Sequence, residues 1–242
     1  MTWTATATRD RSHSRAGPKF LITLVIVVVL LVIIDFGAKA VAENVMANKI
    51  QQQGLPRKPD VTIDGFPFLT QVAAKDFRQV SISATNVPEG PVTISKIHAT
   101  GHQIKLNSYA FSSGTITSLS GTALISFSSL ASTLTKQIGP LGTLLNGAGL
   151  KLTAAGPHEV RAVLNLVVTT GSATWRVTRA SGQDLRISLV GSSGLPAGLI
   201  SSISSVTLHL PSLPLGLAIN SVSVTNAGVV GQISGHNVPF GS

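Results

Sequence analysis

Fifteen residues, Phe20 to Ile34, form an apolar run interrupted by a single Thr. Leucine and β-branched residues cover every helical face of it, so as a core helix it would need a much larger protein around it. Arg9, Arg11, Arg15 and Lys19 precede it, four positive charges against the one carboxylate of Asp10. Two readings fit. As a signal peptide the run is the h-region, with small-residue cleavage sites at Ala38-Lys39-Ala40 or Ala40-Val41-Ala42. As a signal anchor it must be longer, because fifteen helical residues reach only ~22 Å across a ~30 Å hydrocarbon core. Phe36 and Ala38 supply the extension, with Asp35 and Lys39 near the outer interface. The helical spacing of Ala38, Val41, Ala42, Val45 and Ile50 continues to a stop at Gly54, which favours the uncleaved anchor. In both readings the basic flank stays inside and the bulk of the chain lies outside. The expected organisation is a basic cytoplasmic tail over 1–19, a transmembrane or signal segment over 20–38, and an extracytoplasmic domain over 39–242, on the outer side of the cytoplasmic membrane.

The rest of the 242-residue chain suits one domain. Charged residues are 11% and hydrophobic residues 43%, a balance that argues against disorder. Cysteine is absent, which excludes disulfides, thiolate metal sites and cysteine nucleophiles. The net charge of +9 is spread thinly beyond the N-terminal cluster, and aromatic residues are only 5%, so neither a basic face nor a base-stacking platform for nucleic acid is indicated.

Period-two alternation dominates after residue 58. It runs through Val80-Ile82-Ala84, Leu119 to Phe127, Val160 to Val168, Trp175-Val177, Leu185-Ile187-Leu189, Val206-Leu208-Leu210 and Val222-Val224. One apolar and one polar face per strand predict antiparallel sheet. Between Val92 and Leu106 the phase slips twice, after Ile94 and after Gly101, the sequence mark of β-bulges, which bend sheets. An apolar stripe at Leu130, Leu134, Ile138, Leu141 and Leu145 predicts a helix from Ser128, kinked or broken at Gly139-Pro140. A shorter helix is expected after Pro196. Turns are expected at Asn86-Val87-Pro88, Ser113-Gly114, Gly147-Ala148-Gly149 and Ser181-Gly182. One Tyr and two Trp are too few for the aromatic girdles of a transmembrane barrel.

Catalytic motifs are missing: there is no G-x-S-x-G elbow, H-E-x-x-H pair or phosphate-binding glycine loop. His98 and His102 have a spacing that a metal can use, but no carboxylate lies close in sequence. Asp60 and Asp64 share a strand face without a calcium-loop pattern. The expectation is a non-enzymatic protein without metal or cofactor. Gly65-Phe66-Pro67-Phe68-Leu69 reads either as a core plug at a turn or as a hydrophobic lip at a lipid pocket or membrane surface.

That element extends a longer pattern. Ala40-Val41-Ala42-Glu43, Gln53-Gly54-Leu55 and Pro59 through Thr70, followed by Leu213-Pro214-Leu215-Gly216-Leu217 and Val222 through Val229, resemble the LmeA-like phospholipid-binding family of actinobacterial cell envelopes. The resemblance implies an α+β fold similar to the tubular lipid-binding proteins: a strongly curved antiparallel sheet wrapped around a long helix, behind the N-terminal helix. It also implies binding of phospholipid or a related amphiphile in support of envelope lipid or lipoglycan maintenance. The candidate groove residues are Phe66, Phe68, Leu69, Phe77, Phe111, Phe127, Leu134, Ile138, Leu141 and Leu145. Small inward residues (Gly121, Ala123, Ala162) either leave room for a ligand or allow tight packing. Arg161, Arg176 and Arg186, on the polar phase of their strands, are candidates for anionic headgroups. The rival reading is a structural envelope protein that binds a protein partner and no lipid.

Overall fold

A computed structural model describes residues 18–52, 55–89, 92–109, 113–137, 150–165, 170–180, 184–195, 200, 205–209 and 218–241. The fold is α+β with antiparallel pairing throughout the described strands. It opens with a 35-residue helix, α1 (Pro18–Gln52), continuous across the apolar run and the helical pattern that follows it. Residues 22–34 of α1 are exposed except for half-buried Val32. By length and composition this helix is able to cross a membrane.

Eleven described strands form two open sheets. The first, sheet A, has the order β1-β2-β3-β4-β11-β10: β1 (Asp60–Asp64), β2 (Asp76–Glu89), β3 (Val92–Leu106), β4 (Gly114–Ser126), β10 (Ala218–Thr225) and β11 (Gly228–Phe240). The second, sheet B, runs β5 (Leu150–Gly156), β6 (Glu159–Asn165), β7 (Thr170–Arg179), β8 (Asp184–Ser193), β9 (Ser205–His209) in chain order. Two further helices are short, α2 (Phe68–Ala74) and α3 (Phe127–Gln137). The strands are therefore divided between two sheets where one was expected. The N-terminal helix, α1, packs only its C-terminal half against the domain. Of the helix expected from Ser128 inside the sheet, only the part up to Gln137, in α3, is described.

Two apolar clusters hold these parts together. One gathers Ile63, Phe68, Phe77 and Ile104, with Ala38, Ala42 and Met46 of α1 and Ile116 and Phe240 packed on it. The i, i+4, i+8 spacing of the three α1 residues puts them on one helix face. The other joins the sheets: Leu152, Val160, Ala162 and Val177 of sheet B meet Ile219, Val222 and Val224 of β10, with Phe127, Leu130 and Ala131 of α3 packed alongside. The turn between β5 and β6 is hooked to β10, since the Val224 amide donates to the Pro157 carbonyl at 2.7 Å.

The phase slips of β3 have a different cause from the one expected. Register stays constant along β2–β3–β4, with no extra residue in any strand. Instead, Gln103 in β3 and Asn86 in β2 adopt left-handed φ of 51° and 54°. Asn237 in β11, at φ 50°, continues the Gln103 line across the sheet. Each left-handed residue costs the strand one step of alternation, and its neighbours take the same step, so register survives. Phe77 and Val80, three apart, consequently line the same small cavity. Asn tolerates this conformation better than most residues. It also explains why Asn86-Val87-Pro88 lies within β2 and is not the turn its composition suggested. Register shifts of the bulge type occur elsewhere, at Ala154/Gly156, Thr174/Trp175 and Ile219/Ser221.

Candidate functional site

Directly opposed residues of a sheet share a face, so the inner surface of sheet A can be read in rows. At the α1 end, Phe77, Ile104, Ile116 and Val238 form a row of large side chains. The next rows are smaller: Val80-Gly101-Leu119-Gly235, then Ile82-Ala99-Gly121-Ile233, then Ala84-Ile97-Ala123-Gly231-Val222. The middle of the face is a shallow trough floored by glycine and alanine. Ile82, Ile97, Ala99, Leu119, Gly121, Ala123, Gly231 and Ile233 are each only half-buried, between the two fully buried clusters.

The small residues do not all serve one purpose. Ala162 is 2% exposed inside the sheet-to-sheet cluster, a packing position. A Cβ on Gly121 would lie 3.0 Å from the His98 carbonyl oxygen and 3.1 Å from Ile233 Cγ1, so Gly121 makes room for its own neighbours. Over Gly231 a Cβ would meet nothing within 4 Å. The apolar face is therefore open over Gly231. The small, partly open apolar cavity at the α1 end, lined by Met46, Ile63, Phe77, Val80, Ile104, Leu106 and Phe240, is about 40 Å³, room for roughly one water molecule and too little for an acyl chain.

The Gly65–Leu69 element divides between core and surface. Phe68 is 3% exposed and packs at 6.1 Å, ring to ring, on Phe77. Phe66 is 55% exposed and stacks at 6.0 Å on equally exposed Phe36 of α1, with Leu69 exposed nearby in sequence. Asp35 fixes this arrangement. The α2 N-cap is Pro67, which offers no side-chain cap. The Phe68 and Leu69 amides donate instead to Asp35 Oδ2 and Oδ1, at 2.8 and 2.7 Å. A carboxylate at a helix start satisfies otherwise orphaned donors and complements the helix dipole. Asp35, expected near the outer interface, is 5% exposed. Further along α1, Glu43 Oε1 accepts the Ile63 amide at 2.8 Å, and Asn44 Oδ1 accepts Lys58 Nζ at 2.8 Å. The helix is thus bound to the domain at three points.

Gly65 has φ +111°, and a Cβ there would sit 2.6 Å from Gln71 Nε2. Gln71 cannot simply withdraw, since its Oε1 accepts the Arg78 amide at 3.0 Å. Gly65→Ala is expected to cost about 2 kcal/mol from the φ strain and the forced shift, read as a lower denaturation midpoint of the full chain with unchanged m-value.

The remaining sequence candidates fall as follows. Phe77 lies in the α1-side cluster, and Phe127 packs on the sheet-to-sheet cluster. Phe111, Ile138, Leu141, Leu145 and the Leu134 side chain lie outside the described residues, as does most of the helix expected after Pro196. The candidates that are described do not converge on one groove, and the trough residues were mostly passed over. Arg161, Arg176 and Arg186 project from the outer face of sheet B. Arg176 is held there by Glu159 at 2.7 Å, and Arg161 Nη2 donates to Ser172 Oγ at 3.4 Å. The exposed Arg176–Glu159 pair is worth no more than about 1 kcal/mol, so Arg176→Gln is expected to leave thermal stability nearly unchanged. His98 and His102 lie on one face of β3 roughly 13 Å apart by strand rise, and His98 Nδ1 hydrogen-bonds Ser83 Oγ at 2.8 Å. Asp60 and Asp64 stand at opposite ends of β1, with Asp64 accepting Gln79 Nε2 at 2.7 Å.

A profile of LmeA-like phospholipid-binding proteins matches residues 33–234, from the end of the apolar run into the middle of β11. The chain belongs to the LmeA-like phospholipid-binding family. An uncharacterized protein of Mycobacterium bovis and one of Mycobacterium tuberculosis are each 24% identical to it over 237 residues, covering 94% of this chain and 67% of theirs. No solved structure matches. Within the matched span, the Pro59–Thr70 motif forms β1 and the start of α2, where the family match takes in Asp35 as well. The Val222–Val229 motif is the hairpin of β10 and β11 that carries Gly231 two residues on.

Proposed function

We propose that this chain binds phospholipid without catalysis, laying an acyl chain along the glycine- and alanine-floored trough of sheet A, on the outer side of the membrane that α1 anchors it to. The observation that carries the reading is the open, half-buried apolar surface around Gly231 in a member of a phospholipid-binding family. From Leu119 to Ala123 the trough runs about 13 Å along β4 at ~3.3 Å per residue, close to the ~15 Å that one leaflet's chains occupy. Burying about sixteen methylenes at ~0.8 kcal/mol each gives a gross ~13 kcal/mol, offset by chain ordering and by the lipid's preference for the bilayer. The net supports exchange, not permanent capture.

Two features support the anchor over a cleaved signal. From Pro18 to Phe36 the helix is about 28 Å long at ~1.5 Å per residue, close to the hydrocarbon thickness. Cleavage after Ala40 or Ala42 would also remove Asp35 and leave the first amides of α2 without acceptors. On this reading Phe36, Phe66 and Leu69 sit where α1 leaves the bilayer and form the lip of the domain. A headgroup role for Arg161, Arg176 or Arg186 requires a lipid lying against the outer face of sheet B. A phospholipid with a photoreactive group mid-chain tests the site: crosslinks to the β4 and β11 peptides around Ala123 and Gly231 are expected, and crosslinks confined to α1 count against the trough.

A further inference from the structure

On the opposite face of sheet A from the trough, an open cleft of about 540 Å³ lies between α2 and the line where the strands change phase. Its walls are Thr70, Gln71 and Ala74 of α2 and Asp76, Arg78, Gln103, Lys105 and Thr117 of the sheet. Arg78, Gln103 and Thr117 occupy the unpaired positions within the constant register of β2–β3–β4, and Thr117 Oγ1 donates to the left-handed Gln103 carbonyl at 3.0 Å. The cleft is therefore built by the same backbone device that re-aims the inner face. Among the described residues, neither the Arg78 guanidinium nor the Lys105 ammonium has an ion-pair or hydrogen-bond partner. Asp76 stands opposite Lys105 in the ladder without closing a bridge to it. Two cations and one anion around the cleft leave a single unbalanced positive charge.

The position of the cleft matters as much as its charge. Gln71 is one turn of α2 beyond Phe68, whose amide is bound to Asp35 at the end of the apolar run. Lys75, the α2 C-cap, lies 4.7 Å over the ring of exposed Tyr109, whose hydroxyl donates to the Ala73 carbonyl. We infer that the cleft between α2 and β2–β4 is a phosphate-binding site at the foot of the domain, with Arg78 and Lys105 as its cationic contacts. Arg presents a planar fork suited to two phosphate oxygens, and Lys a point charge. Thr70 and Thr117 add hydroxyls, and Asp76 disfavours a second negative charge, so a singly charged phosphodiester fits better than free phosphate. Because the trough is on the other face of the sheet, the headgroup is one of the adjoining bilayer and not that of the lipid in the trough, and this assignment rests on the anchoring proposed above; the site itself rests only on the cleft.

The full chain in neutral detergent micelles is titrated with dihexanoyl phosphatidylglycerol and, separately, with inorganic phosphate, and the backbone amide resonances of Gln71, Arg78, Gln103 and Lys105 are followed. Saturable shifts at these amides are expected with the short-chain lipid, at lower concentration than with inorganic phosphate. Arg78→Gln with Lys105→Gln is expected to weaken the lipid response by about 20- to 30-fold. Equal or stronger binding of inorganic phosphate would keep the site and assign it to free phosphate. No saturable shift with either probe, or an unchanged response in the double variant, overturns the inference. The lipid content of the purified double variant separates the two proposals: retained lipid with a silent cleft removes the cleft alone.

Discussion

Asp35→Ala is expected to lower the thermal midpoint of the full chain by about 6–12 °C. The substitution removes two short hydrogen bonds from a buried carboxylate to the Phe68 and Leu69 amides. Net values for hydrogen bonds to charged groups, and for losing a helix cap, put the cost at about 3 kcal/mol. For a domain of this size each kcal/mol corresponds to about 2–4 °C. Asp35→Asn retains one acceptor and is expected to cost about half as much. Hydrogen exchange provides the local readout, because the Phe68 and Leu69 amides should lose protection while those in the middle of sheet B keep theirs. Unchanged exchange at these two amides in Asp35→Ala would show that α2 is capped by something else. The prediction bears on function, since this carboxylate couples the helix proposed as the anchor to the element that carries Phe66 and Leu69.

Gly231→Phe is expected to cut phospholipid affinity by about a hundredfold while the protein stays folded. The fold tolerates the change because no atom lies within 4 Å of the new Cβ and an aromatic residue suits a strand better than glycine does. A phenyl ring laid over the trough displaces roughly four methylenes of a bound chain, about 3 kcal/mol at ~0.8 kcal/mol each, which is about a hundredfold. The measurement is the molar ratio of lipid to protein after extraction of the purified chain. Gly191→Phe is the matched control, since Gly191 in sheet B also has nothing within 4 Å of its Cβ position, and it is expected to keep wild-type lipid content. Equal lipid loss in both variants would mean that bulk alone, and not the trough, is responsible.

The strands were legible wherever alternation was clean, as at Val80-Ile82-Ala84 and Leu119 to Phe127, because period two is a local property of the chain. β11 was not read as a strand: Gly231, Gly235 and Pro239 interrupt its pattern, and its place is set by pairing with β4 and β10 rather than by propensity. The slips in β3 were visible, but their cause was not, since a left-handed residue and an inserted residue leave the same trace in the alternation. Gly121 and Ala123 pointed to the trough, yet Gly231 is what opens it, and its register opposite Ala123 is a long-range fact. The large aromatic residues drew the groove assignment instead. Phe68 and Phe77 proved to be core, because large side chains fill space more often than they frame it. Asp35 was conspicuous at the end of the apolar run, but its partners are 33 and 34 residues away. Arg78 and Lys105 carried no signal beyond ordinary polar-face charges, and only the fold of α2 over β2 makes them a site.

Native mass spectrometry of the full chain, released from detergent micelles after exchange into a lipid-free detergent, tests the central claim most directly. Adducts matching the mass of phospholipid, at about one per chain and much diminished in Gly231→Phe, are the predicted result. A bare protein mass across independent preparations would contradict it and favour a structural envelope protein that binds a protein partner.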